Sequence, residues 1–372
     1  MGWSPAAPAQ LVATAFGVRV RPILSAGDIV GRELLGYQLT GIPDGIGAFR
    51  SSPSTVEVLV NHELNGTAPQ GVGARVSQLT LDDRRRVVAG RYLLDGSEGF
   101  LRFCSATLAT LDGVPWYLTG EESTDQGEPP PGGRGGSSIA LNAASGRWTE
   151  TRHFGLFEHE NVVPVTGLRT AMVVSTEDGD AGHSQLYAYT AASFAKAIGG
   201  QGQLWVWAAD TTGDGNPSTN EIAKGQTLRG HFVPLSQADN ADAATLEAAA
   251  QAKGAFDFVR VVDLAVSRTR RGEAFFTDTG AAGAESVRGR LYRLRIDPAD
   301  PTRASLTVVL DGDTGDDLVN PDNLDVSQRV AVIQEDATPS TVGPRSPAAT
   351  PGCWSMTSTA AGYAPWPGSP PT

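Results

Sequence analysis

The residues of this sequence best placed to do chemistry are acids set directly behind apolar runs. VLVNHE ends at Glu63, WYLTGEE at Glu121 and Glu122, VVSTED at Glu177 and Asp178, AFFTD at Asp278, and AVIQED at Glu335 and Asp336. Their spacing is about 55 to 60 positions, with one interval of about 100, so a structural unit of that length recurs. The long interval holds either one further shortened unit or one unit enlarged by an insertion. In a radial array the repeated acids fall on one ring, and several carboxylates converge. Like charges that close raise one another's pKa, and cations relieve them. Oxygen ligands suit calcium, magnesium or manganese, while histidines among them admit iron or zinc. Histidines do adjoin the acids, at His62-Glu63, at Glu158-His159-Glu160, and at His183 shortly after Asp178.

A second calcium signal runs from Asp210 to Glu221, where Asp210, Thr212, Asp214, Gly215 and Glu221 occupy positions 1, 3, 5, 6 and 12 of an EF-hand-type loop. Thr212 and Pro217 depart from the usual pattern, and the preceding QLWVWAAD reads as a strand. Other catalytic signatures are missing: there is no G-x-S-x-G, no H-E-x-x-H, no P-loop and no cysteine quartet for zinc. Hydrolysis by a metal-activated water is the chemistry that an acid-lined channel suits.

The elements that must position these acids read as strands. Short β-rich runs bounded by Gly, Asp and Ser recur about every ten residues, the pattern of a sandwich, barrel or propeller. The 44 glycines and 24 prolines among 372 residues exclude a helical bundle. With the acid repeat, they predict an all-β chain folded as a β-propeller of five to six blades over residues 1–336. A small helical insertion is expected within 210–253, where DNADAATLEAAAQAK is rich in alanine and opens with capping residues. The Pro/Ala/Ser/Thr-rich stretch 337–372 reads as a disordered low-complexity tail. A net charge of −12 argues against nucleic-acid binding, and no run approaches 18 apolar residues, so no membrane-spanning helix is expected. Cys104 and Cys353 read as two free thiols, and MGWSPAAPAQ shows no recognisable export signal.

The ordered runs PILSAGDIVG, GIPDGIGAF, VLVNHE, PWYLTGEES, FGLFEHEN, STEDGDAGHSQLYAY and NPDNLDVS, followed by a strand ending in ED, resemble the PhoX-type alkaline phosphatases over residues 22–336. The resemblance implies a secreted or periplasmic propeller phosphomonoesterase acting on a small phosphoester with calcium and an iron pair, and a monomer is expected. It implies Glu121, Glu122, Glu160, Glu177, Asp178, Asp263, Glu335 and Asp336 as metal ligands beside Glu63. Asp210, Asp214 and Glu221 are the ligands of the separate calcium loop. Glu122 and Glu160 are the implied catalytic acids, and Arg260 or Arg134 the phosphate clamp. Gly120 stands where the family motif has an iron-ligating cysteine, which points away from iron and toward a calcium-dominated site. Two other functions fit the same residues: a calcium-stabilised binding module without catalysis, and a calcium-dependent lactonase or esterase.

Overall fold

β-Branched and aromatic residues in short runs, cut by glycine-containing turns, fold here into antiparallel meanders. The structure, a computed structural model, describes residues 21–31, 36–65, 72–126, 133–179, 183–210, 217–335 and 354–357. The chain divides into two units, residues 1–149 and 150–372.

The first unit opens with a small ladder, β1 (Ile29–Val30) and β2 (Tyr37–Gln38). One meander follows, of β3 (Pro43–Ser52), β4 (Thr55–His62), β5 (Arg75–Leu81) and β6 (Val87–Leu94). The next comprises β7 (Phe103–Leu111), β8 (Val114–Glu121), β9 (Ser138–Asn142) and β10 (Trp148–Glu150). The β7–β8 turn shows how local chemistry sets register: Asp112 and Gly113 have φ of 51° and 79°, as a two-residue hairpin turn requires, and Leu111 therefore pairs with Val114. One core cluster joins Leu59, Val76, Phe100, Phe103, Tyr117 and Ile139. Each such side chain contributes about 1.5–3 kcal/mol on burial.

The second unit begins with β11 (His159–Val165), β12 (Ala171–Glu177) and β13 (Leu186–Ala191), then α1 (Phe194–Ile198) and β14 (Gly202–Ala209). β15 (Thr227–Leu235) and α2 (Ala243–Ala252) come next. A further meander contains β16 (Val261–Val266), β17 (Glu273–Asp278), β18 (Arg290–Ile296) and β19 (Arg303–Asp311). β20 (Pro321–Val326), β21 (Val330–Glu335) and β22 (Trp354–Thr357) form the last sheet. β11 and β12 are buried along their whole length, as expected of runs such as AMVV that lack a polar face.

The long acid-to-acid interval is an insertion rather than a further blade. β15 pairs with both β14 and β19, joining two meanders into one nine-stranded sheet, and α2 follows it. The helix starts where Asp242 accepts a hydrogen bond from the Thr245 N–H at 2.8 Å, within the expected window. Of the expected tail, 337–353 and 358–372 lie outside the described residues, while Trp354–Thr357 pairs with β21.

Five meanders are thus described, and they share one register. The last residue of each second strand pairs with the first residue of its first strand: His62 with Pro43, Glu121 with Phe103, Glu177 with His159, Asp278 with Val261, and Glu335 with Pro321. Immediately afterwards the first strand carries one extra residue in every case. A bulge of this kind re-aims side chains and often flanks an active site.

Candidate metal centre

Backbone geometry defines the position just behind each second strand. The Glu63 N–H donates to the Ile42 carbonyl at 2.9 Å, Glu122 to Arg102 at 2.9 Å, Asp178 to Glu158 at 3.0 Å and Thr279 to Arg260 at 2.9 Å. Glu63, Glu122, Asp178 and Thr279 are therefore equivalent. Asp278, grouped with the first three from its place in the sequence, stands one position earlier and is the counterpart of Glu121 and Glu177. Ile42 and Arg102, which accept these bonds, are non-glycine residues at φ 47° and 49°, and Asn320 has φ 46° at the matching place. Such left-handed backbone costs on the order of 1–3 kcal/mol and persists only where its surroundings over-determine it.

The acid that ends the second strand acts on the backbone of its own meander. Glu121 accepts the Leu101 N–H at 2.8 Å, Asp278 the Val259 N–H at 3.1 Å, and Glu335 the Val319 N–H at 2.7 Å. Each donor lies two residues ahead of a first strand, so the three bonds are one repeated latch. Glu121 also accepts from Arg134 N at 3.0 Å and Ser137 N at 3.1 Å, and Asp278 from Arg260 N and Gly280 N. In the first meander His62 fills the latch position, its Nδ1 lying 3.2 Å from the Gly41 carbonyl and its Nε2 2.7 Å from Ser77 Oγ. Burial pushes its pKa down to about 4, with the Arg75 charge adding to the effect, so the ring is neutral at pH 7.

The bulges bring a different set together. Asp44, Glu63 and Cys104 each offer a ligand atom, and the three atoms lie within 4.8 Å of one another; Glu122 also lies within 4.8 Å of Cys104. The buried Cys104 thiol donates to Asp44 Oδ2 at 3.2 Å. Arg102 spans the two acids behind the second strands, 2.9 Å from Glu63 Oε1 and 2.7 Å from Glu122 Oε1. Burial opposes its charge, but the Glu122 and Glu63 carboxylates more than offset that and hold the guanidinium above its ordinary range. Three carboxylates and one thiol form a donor set for a hard cation with a softer partner on sulfur. The sequence reading missed Asp44, Cys104 and Arg102. The missed signal was the first strand rather than the second: Pro43-Asp44, Phe103-Cys104, His159-Glu160 and Pro321-Asp322 occupy one repeat position.

In the second unit, Arg260 grips Asp178 with both ends of its guanidinium, its Nε 2.7 Å from Oδ1 and its Nη2 on Oδ2. Arg102 and Arg260 both sit immediately ahead of a first strand, so the arginine–acid pairing also recurs. Glu160 is buried in the β11 bulge. Glu177 is buried as well, and its pKa is pushed well above the ordinary carboxylate value, first by burial and then by Glu247, with the Gln185 N–H at 2.9 Å partly offsetting this. Asp263 serves as a tie. Its Oδ1 accepts from the Asn161 side-chain amide and from Leu264 N at 2.8 Å, and its Oδ2 from Leu324 N at 2.7 Å, so β11, β16 and β20 meet at one carboxylate.

The remaining expected residues are placed as follows. Arg134 turns its guanidinium to the Glu98 carbonyl, at 3.1 and 2.5 Å, and over the Phe100 ring. Asp210 is exposed and 2.8 Å from His231 Nδ1, while Glu221 is exposed in the short turn Thr219–Glu221. Asp214 and Asp336 lie outside the described residues.

No protein-family model matches the sequence, and no curated protein matches it. Among solved structures the chain is similar to PhoX from Pseudomonas fluorescens in complex with vanadate, a transition-state analogue. The TM-score is 0.61 at 15% identity, covering 85% of this chain and 77% of that one. The chain is a β-propeller. The meanders described above are its blades, and the resemblance first read from ordered motifs is borne out at the level of the fold. A weaker similarity, with a TM-score of 0.42 at 12% identity, is to the periplasmic gluconolactonase PpgL of Pseudomonas aeruginosa, over 82% of this chain and 71% of that one.

Proposed function

We propose that the protein is a metal-dependent phosphoester hydrolase acting on a small substrate outside the cytoplasm. The observation that carries this reading is the gathering of Asp44, Glu63 and Cys104 ligand atoms within 4.8 Å, at a bulge repeated in every blade. Asp44, Glu63, Cys104 and Glu122 would hold the cations. Bound there, cations neutralise charge developing on a phosphoryl oxygen and lower the pKa of a water. Carboxylates favour calcium, and the Cys104 thiolate adds a ligand suited to iron or zinc, which restores to the site the sulfur that Gly120 had seemed to remove. Arg102 supports the reading in a second way. It pairs with both Glu63 and Glu122 and presents a guanidinium beside them, a group suited to phosphate oxygens. In the second unit Glu160, Glu177 and Asp178 are proposed as ligands of further cations, with Arg260 as a clamp that would exchange Asp178 for phosphate.

The test is elemental analysis of the purified protein, followed by p-nitrophenyl phosphate and p-nitrophenyl acetate assays with and without a chelator. Phosphate-ester turnover that chelation removes and calcium restores is the expected result. Turnover of the acetate ester alone makes the protein a calcium-dependent esterase, and a metal-loaded protein inert toward both makes it a binding module; either outcome overturns the proposal.

A further inference from the structure

A depression of about 420 Å³ in the first unit, one strand removed from the acids, has a different chemistry. Tyr37, Gln38, Thr40, Arg75, Arg91 and Tyr92 line it. The chain carries a net charge of −12, yet among the described residues neither arginine has a carboxylate within ion-pair distance. Arg91 holds Gln78 Oε1 through Nε at 2.9 Å and Nη2 at 2.6 Å, which leaves Nη1 with no protein acceptor among the described residues. Arg75 lies over the Tyr92 ring, 5.3 Å from its centroid, and its buried Nε has no hydrogen-bond partner among the described residues. The Thr40 hydroxyl is the second, independent sign. It belongs to a residue only 7% exposed, and Oγ1 has no hydrogen-bond partner among the described residues. Buried polar groups are normally satisfied, so unpartnered donors at one depression mark where a ligand is missing.

The walls are already set. Tyr37 lies against Gly90, where a Cβ would meet its ring at 2.3 Å, and the Tyr37 hydroxyl is held by Ser77 Oγ at 2.6 Å. The Tyr92 hydroxyl donates to the Gln38 carbonyl at 2.5 Å.

We propose that this depression is an anion site that takes the phosphate group of a small phosphorylated molecule. Two guanidinia and a hydroxyl offer donors suited to a multiply charged, three-oxygen face, and the tyrosine rings flank the organic part. The volume falls within the usual range for small-molecule sites.

The test is calorimetric titration of the full chain with inorganic phosphate, with acetate as the second arm. Phosphate binding that persists in the presence of a chelator, weakens at least about 10-fold in Arg75→Gln and falls less in Arg75→Lys supports the site. Acetate should bind at least about 10-fold more weakly than phosphate. If Arg75→Gln melts at a lower temperature than the parent, the exposed Arg91→Gln replaces it. Unchanged affinity in the arginine variants overturns the proposal, as does loss of all binding in the chelator, which would put the phosphate at the acids. Equal affinity for acetate overturns the phosphate assignment.

Discussion

The two units differ in what their acids meet, although the latch of Glu121, Asp278 and Glu335 and the arginine–acid pairing recur in both. In the first, Glu63 and Glu122 share one arginine, and the neighbouring bulges turn Asp44 and Cys104 toward one another. In the second, Asp263 binds the first strands of three blades, while Asp278 and Glu335 are occupied with backbone N–H groups. A carboxylate surrounded by backbone donors is a structural part. One that faces an arginine and a thiol can exchange partners, because a cation can take over the arginine's role.

If that distinction is right, removing a tie should cost stability and removing a ligand should cost activity. The largest effect is expected for Asp263→Ala, which strands the Leu324 N–H and the Asn161 amide in a buried place. At about 1–3 kcal/mol per unsatisfied group, the loss should be about 3 kcal/mol or more, read as a fall in the denaturant midpoint. A variant of wild-type stability that had lost its metal would put Asp263 among the ligands instead. Next, Glu122→Gln should lower activity at least about 100-fold, close to 3 kcal/mol in barrier, with an unchanged melting temperature. Equal kcat/KM in variant and parent would remove Glu122 from the site. Cys104→Ser keeps the volume and replaces sulfur with a hard hydroxyl. It should lower iron or zinc content to background and activity about 10-fold, while calcium is retained. Parent-like transition-metal content in this variant would show that the thiol serves packing alone.

The smallest effect concerns pH. His153 is packed against Phe154 and Tyr189, with Nε2 2.7 Å from the Ala197 carbonyl, and burial lowers its pKa. A depressed folded-state pKa means the unfolded chain takes up the proton first. Stability should therefore fall as pH drops below the ordinary histidine value near 6.5, by no more than about 1.4 kcal/mol per pH unit. Melting curves from pH 7 to 5 should show this fall, and it should be smaller in His153→Gln. An identical slope in the variant would assign the acid sensitivity to other groups.

Much of the architecture was legible in the residues themselves. An acid behind a β-rich run is a local pattern, and its repetition at blade length follows from a propeller's need to present one position many times. The α2 cap at Asp242 and the hairpin turn at Asp112-Gly113 depend on neighbouring residues, so the chain states them directly. The assignment of Asp278 slipped by one because sequence spacing cannot show which residue faces the lead-in carbonyl; only the Thr279 hydrogen bond to Arg260 does. Cys104 was set aside because its partners Asp44 and Glu63 lie far away along the chain. The one-residue bulge that turns it toward them is a property of paired strands and has no signature in a single run. Whether a carboxylate ends as a tie or as a ligand depends on which backbone N–H groups reach it first. Residue type sets the charge that each position can offer, and tertiary structure decides the partner, because hydrogen bonds and ion pairs are short-range and distant strands meet only in the fold.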